Sequence, residues 1–122
     1  MAIKDSFADI LTVDLHPEPD MGTELATIAS LVRLRDDCDV AVDFSSVDIV
    51  TSASLAKLLK LRKLLANCGH RLVLFGLGPG TRSIFKVTAL DLVFEFADDK
   101  SGACAAIRRA KQPKSKVRAP SP

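Results

Sequence analysis

The chain has no tryptophan and no tyrosine, and six phenylalanines are its only aromatic residues. That scarcity argues against the aromatic platforms that hold single-stranded nucleic acid. No stretch approaches the roughly 20 apolar residues needed to cross a bilayer, so membrane insertion is not expected. The opening MAIKDSFADI carries Asp5 and Asp9 and no apolar segment, and it does not read as a signal peptide. A cytoplasmic protein is expected. Cysteine is limited to Cys38, Cys68 and Cys104, an odd number with no CxxC, which suits plain thiols in a reducing compartment. With only His16 and His70 to join them, no clustered metal-ligand set arises, and no metal or cofactor is expected.

Charge of one sign is also missing. The net charge of +2 is too small to imply nucleic-acid binding, and the surplus is local. The ending KQPKSKVRAPSP holds Lys111, Lys114, Lys116 and Arg118 with no acid. Without it the body is slightly acidic. Three prolines from Gln112 onward suggest a disordered tail. What remains is ordinary for one globular domain of 122 residues: 48% apolar and 26% charged. The expected organisation is an N-terminal arm over 1–9, one domain over 10–110 and a basic, proline-rich tail over 111–122.

Hydrophobic spacing then orders the body. Ile10 to Leu15 alternates like a strand, and HPEPDMG breaks it. Thr23 to Asp36 has Leu25, Ile28, Leu31, Val32 and Leu34 at helical spacing, with Arg33 and Arg35 at its cation-favouring end. Val40 to Phe44 reads as a central strand. Ser52 to Asn67 carries Leu55, Leu58, Leu59, Leu61, Leu64 and Leu65, a wide apolar helical face, and Gly69 suits a left-handed cap. Arg71 to Gly76 is an apolar run like a buried parallel strand. Gly78 to Gly80 reads as a turn, and Thr81 to Leu90 as a short helix with Ile84, Phe85, Val87 and Leu90 inward. Val93 to Ala97 is a short strand, and Ser101 to Lys111 a last helix. This alternation predicts an α/β fold: a mostly parallel, four- to five-stranded sheet with alternating helices.

Catalytic constellations are lacking. GLGPG at Gly76 to Gly80 is not GxGxxG, and Pro79 removes an amide that could face phosphate. There is no GxxxxGK[ST]. Asp43, Asp48 and Asp91 are scattered; Glu18, Asp20, Asp98 and Asp99 read as solvated turn residues. His16 and His70 fit loop positions better than a general base. The chain is therefore not expected to be an enzyme.

The stretch TSASLAKLL, from Thr51 to Leu59, concentrates hydroxyls where a strand hands over to a helix. Ser52 there would accept a bond from an orphan helix amide, worth ~1 kcal/mol. The alternative is a phosphorylation site. A phosphate there would lie near free amides at the positive end of the helix dipole and add a charge of about −2 to the surface. Helix physics alone leaves both readings open.

A co-linear set of motifs makes the chain resemble a STAS domain of the anti-sigma factor antagonist type, from about Ile10 to Ile107. Asp43-Phe44-Ser45 matches a strand ending like DLS. Val47 to Leu55, VDIVTSASL, falls on V-x-F-I-D-S-S-G-L. Val87-Thr88-Ala89-Leu90 with Phe94 matches the family's L-T-G-L and F-x-x ending. Ser52 falls on the family's phosphorylated serine, while Thr51 stands for its Asp, Ala53 for its second Ser and Ser54 for its Gly. The resemblance implies the STAS fold and a binding role without catalysis. The implied partner is an anti-sigma factor with a serine-kinase fold, with a PP2C-type phosphatase possible. It also implies phosphorylation at Ser52, or second at Thr51. The implied partner-binding set is Asp48, Thr51, Ser52, Ser54 and Lys57. A structural subunit of a lipid-transport ATPase or a stress-signalling scaffold, without phosphorylation, is the alternative. The oligomeric state is left open.

Overall fold

A computed structural model of the chain describes residues 2–7, 10–34 and 38–111. Strand β1 (Ala2–Phe7) pairs antiparallel with β2 (Ile10–Asp14). There follow α1 (Asp20–Leu34), β3 (Asp39–Asp43), α2 (Ser52–Asn67), β4 (Leu72–Phe75), α3 (Pro79–Val87), a 3-10 turn (Leu90–Leu92), β5 (Glu95–Ala97) and α4 (Lys100–Lys111). The sheet order is β1-β2-β3-β4-β5, with β2 to β5 parallel. The α/β class and the mostly parallel sheet stand as expected. The segment 1–9, expected as an arm, supplies a fifth strand.

Alternation along the strands sorts the core into two layers. Leu11, Val13, Val40, Val42, Leu72 and Leu74 join the side chains of α1, α2 and Phe85 of α3. Ile10, Ala41, Val73 and Phe75 face the other way and pack on Ala103, Cys104 and Ile107 of α4. The three central strands are covered on both faces, which explains why they read as continuous apolar runs. Phe85 is fully buried and meets Phe44, Phe94 and Phe96 edge-on, at centroid distances of 6.3, 5.6 and 5.4 Å.

Several boundaries and facings differ from the sequence expectation. Helix α1 begins three residues earlier, at Asp20, whose carboxylate suits the positive end. Leu34 is 82% exposed and Val87 86% exposed, although both were expected on apolar faces. Each lies two residues, about 200°, beyond a buried neighbour, Val32 or Phe85, and so points away from the core. Helix α3 starts inside the expected turn because Pro79 occupies a first-turn position, where its missing N–H costs nothing. Ala89, at a left-handed φ of 61°, ends the helical path that was expected to reach Leu90. Cys38 and Cys104 are buried and Cys68 is exposed. The expectations for Arg35 and Asp36, and for the tail from Gln112, lie outside the described residues.

Candidate functional site

In a parallel sheet, the loops that follow neighbouring strands lie side by side at the carboxyl ends. Here β2 and β3 are neighbours, in register from Ile10 with Asp39 to Asp14 with Asp43. The loop after β2 therefore meets the loop after β3, which leads into α2. The tie continues past the strands: the Leu15 amide donates to the Asp43 carbonyl at 3.1 Å, and the Phe44 amide to the Phe75 carbonyl at 2.9 Å.

The β3–α2 loop is held from within. The Asp43 carboxylate accepts the Ser45 amide at 2.8 Å and the Ser45 hydroxyl at 2.5 Å. Gly76 lies against this turn at φ +74°; a Cβ there would sit 2.7 Å from Ser45 Oγ and 3.0 Å from Asp43 Oδ1. The first glycine of GLGPG is thus needed for close packing against the β3–α2 loop. Buried Thr81, on α3, donates its hydroxyl to the Val47 carbonyl at 3.0 Å. Val47 and Val50 point inward, while Ile49 between them is 66% exposed and Asp48 is exposed.

The start of α2 corrects the sequence reading in two places. Ser52 is not the cap: it is the first helical residue, and Thr51 is the N-cap, its hydroxyl accepting the Ser54 amide at 3.1 Å. Thr51 alone has the extended backbone that a cap requires, with φ −78° and ψ 161°. Ser54, expected among the partner-binding residues, is buried at 2% exposure. Its hydroxyl points into the molecule and donates to Glu18 Oε2 at 2.7 Å. Asp48, Thr51, Ser52 and Lys57 are all exposed. The Ser52 hydroxyl makes no hydrogen bond with the described residues.

Glu18 is the residue that sequence reasoning missed. It was expected as a solvated turn residue; instead its Oε2 accepts three bonds, from the Thr51 amide at 3.1 Å, the Thr51 hydroxyl at 3.0 Å and the Ser54 hydroxyl. Burial raises its pKa, but the bonds from Ser54 and Thr51 and the charge of Lys57 outweigh burial. The carboxyl is held below the ordinary 4.5. Lys57 also reaches across to α1, donating to the Gly22 carbonyl at 3.3 Å. The only local signal for Glu18 is its place between Pro17 and Pro19, in a stiff loop.

The two histidines sit beside acids of their own. The His16 amide donates to Glu24 Oε1 at 2.8 Å, and its ring Nδ1 lies 2.6 Å from Oε2. His70 sits 3.4 Å from Asp39, at the amino ends of the strands. A cleft of about 280 Å³ between α1 and α2 is lined by Ala26, Ala29, Arg33, Lys57, Lys60 and Leu64, among others. A second of about 280 Å³ lies near Arg62, His70, Arg71 and Glu95. Among the described residues no group of three or more His, Cys, Asp or Glu could hold a metal. No helix among them is long and apolar enough to cross a membrane.

No family model matches the chain, and no curated protein sequence does. Solved structures do match. An anti-sigma-factor antagonist (STAS) domain protein from Planctomyces limnophilus superposes at a TM-score of 0.73. Identity is 15%, over 88% of this chain and 97% of that one. RsbS of Moorella thermoacetica gives 0.72 at 15% identity, over 90% and 97%. The Bacillus cell fate determinant SpoIIAA, in its phosphorylated form, gives 0.63 at 14% identity, over 90% and 98%. The chain has the STAS fold.

Proposed function

We propose that this protein is an anti-sigma factor antagonist: a binding protein that docks the start of α2 on an anti-sigma factor with a serine-kinase fold. The observation that carries this reading is the Ser52 hydroxyl, exposed and unengaged by the described residues in the first turn of α2, on a STAS fold. Asp48, Thr51 and Lys57 are exposed as well, and the exposed Ile49 adds an apolar side chain that the sequence reading did not include. In the switching step the γ-phosphoryl group of ATP passes to Ser52 Oγ. The hydroxyl proton goes to the kinase's base, and ADP leaves. The new charge of about −2 is compatible with the amides of the helix start but opposes docking on a complementary face. Thr51 is the second candidate for the same modification. A PP2C-type phosphatase would reverse the step by hydrolysis.

The test is a pull-down from the native host with wild type, Ser52→Asp and Ser52→Ala, read by mass spectrometry and by phosphate mapping. Wild type and Ser52→Ala are expected to retain an ATPase-fold kinase, and Ser52→Asp to lose it by about tenfold or more. Equal capture by all three variants would reduce Ser52 to a helix residue.

A second reading has a specific observation behind it. The hydroxyls of Thr51 and Ser54 are both engaged, so two of the three hydroxyls in TSAS serve structure. A structural subunit of a lipid-transport ATPase or a stress-signalling scaffold would use this rigid surface unmodified. Recovery of transporter subunits without a kinase would decide for it.

A further inference from the structure

Glu18 and Thr51 come from different loops, 33 residues apart, yet one carboxylate oxygen binds both the amide and the hydroxyl of Thr51 and also the hydroxyl of Ser54. Thr51 Oγ1 has both of its functions committed: it donates to Glu18 and accepts from the Ser54 amide. Ser54 is out of solvent. Ser52 has no bond to Glu18 and its hydroxyl is exposed. The β2–α1 loop that carries Glu18 leads directly into the first turn of α1, where the Gly22 carbonyl takes Lys57. The three bonds accepted by Glu18 tie this loop, and the Lys57 bond ties the first turn of α1, to the candidate switch.

We propose that Glu18 is an intramolecular latch on the switch. It withholds Thr51 and Ser54 from modification and leaves Ser52 as the reactive hydroxyl. It is expelled when position 51 becomes negative, which frees the β2–α1 loop. The physical reason is charge and space. A phosphate on Thr51 Oγ1 would start 3.0 Å from a carboxylate oxygen, and two anions at that separation repel strongly. The bond that Thr51 Oγ1 donates would vanish with its proton. A phosphate on Ser52 replaces no bond to Glu18, so the latch survives it. The two candidate sites then have different consequences. Modification of Ser52 changes only the charge of the docking surface. Modification of Thr51 would also open the neighbouring loop.

This deepens the switch reading and rests on it only for the choice of reactive hydroxyl; the latch itself is a property of the free chain. The test therefore uses the full chain with no partner present. Amide hydrogen exchange is followed in wild type, Glu18→Ala, Ser52→Glu, Thr51→Glu and the neutral control Thr51→Gln. Glu18→Ala is expected to speed exchange of the Thr51 amide by about tenfold. Thr51→Glu should raise exchange over residues 16–22 toward the Glu18→Ala level and above Thr51→Gln. Ser52→Glu should leave those residues as in wild type. An unchanged Thr51 amide in Glu18→Ala would overturn the latch, as would equal opening by Ser52→Glu and Thr51→Glu.

Should a position-51 variant fail to fold, an NMR titration of the wild type keeps the idea testable. Lys57 is the charged group that acts on Glu18 from α2; His16 precedes it on its own loop, and Asp20 follows it at the start of α1. The Thr51 amide shift should follow a carboxyl titration that disappears in Glu18→Gln. A titration unaltered in that variant would belong to another group and defeat the proposal. Because no partner takes part, these outcomes are independent of whether Ser52→Asp releases a kinase.

Discussion

Glu18 and Ser54 share a 2.7 Å hydrogen bond across 36 residues of sequence, and the serine that makes it is 2% exposed. The bond gives stability a pH dependence whose sign is fixed. Glu18 has its pKa lowered on folding, so the unfolded chain binds the proton more readily. The contribution is fully present above the ordinary carboxyl value of 4.5, and it is lost as pH falls through the lower folded value. Unfolding free energies of wild type and Glu18→Gln should therefore differ most near neutral pH. The difference should shrink on acidification below about pH 4.5. Solvent screens part of the site, so a gap of about 1 kcal/mol is expected at pH 7. A gap that widens in acid would mean that Glu18 is stabilised in its protonated form.

Thr51, and not Ser52, caps α2, and the two substitutions to alanine separate the roles. Thr51→Ala removes the acceptor for the Ser54 amide and should cost about 1 to 2 kcal/mol. Ser52→Ala removes no bond to the described residues and should fall within about 0.5 kcal/mol of wild type. Urea denaturation of both variants measures this directly. A larger cost for Ser52→Ala would return the cap to position 52.

The same residues show what the sequence made legible. Helix α2 was readable end to end, because its six leucines keep one period from Leu55 to Leu65 and Gly69 closes it. The strands were readable because both faces of the sheet are covered, so apolar runs survive as runs. The cluster of hydroxyls at Thr51, Ser52 and Ser54 ahead of the leucine run was also local information, enough to locate the helix start. Whether position 51 or 52 has extended backbone was not, since both residue types cap helices well. Nor was Glu18 legible. Its partners are brought to it by the pairing of β2 with β3, and a single acid between two prolines gives no hint of what the sheet will place beside it. Leu34 and Val87 failed for a different reason: helical spacing assigns a face only if the helix's end is known, and both lie in a last residue.

Gly76 should resist replacement. At φ +74° an alanine adopts the left-handed region at a cost of about 1 kcal/mol or more. Its Cβ would also stand 2.7 Å from Ser45 Oγ. To relieve that, Ser45 must give up its 2.5 Å bond to Asp43. Gly76→Ala is expected to destabilise the fold by about 2 kcal/mol in chemical denaturation. Adding Ser45→Ala should restore part of the loss, because it removes the atom nearest the new methyl group. If the double variant is no better than the single one, backbone strain alone accounts for the cost.

Thr81 offers a way to loosen the candidate docking surface without touching it. Its buried hydroxyl donates to the Val47 carbonyl, and it is the tie from α3 to the loop that presents Asp48 and Ile49. Thr81→Val keeps the volume and leaves that carbonyl without its donor. A cost of about 1 to 2 kcal/mol is expected. Hydrogen exchange should rise in residues 47–51 and stay near wild type over β3 and β4, whose amides are held by the sheet ladder. The consequence for binding follows from ordering. A partner that docks on this loop must then fix it, so affinity should fall by severalfold with Ser52 and Glu18 both intact. An affinity that falls while residues 47–51 exchange as in wild type would mean that the loss does not come from ordering this loop, and the loop-anchoring role would be wrong.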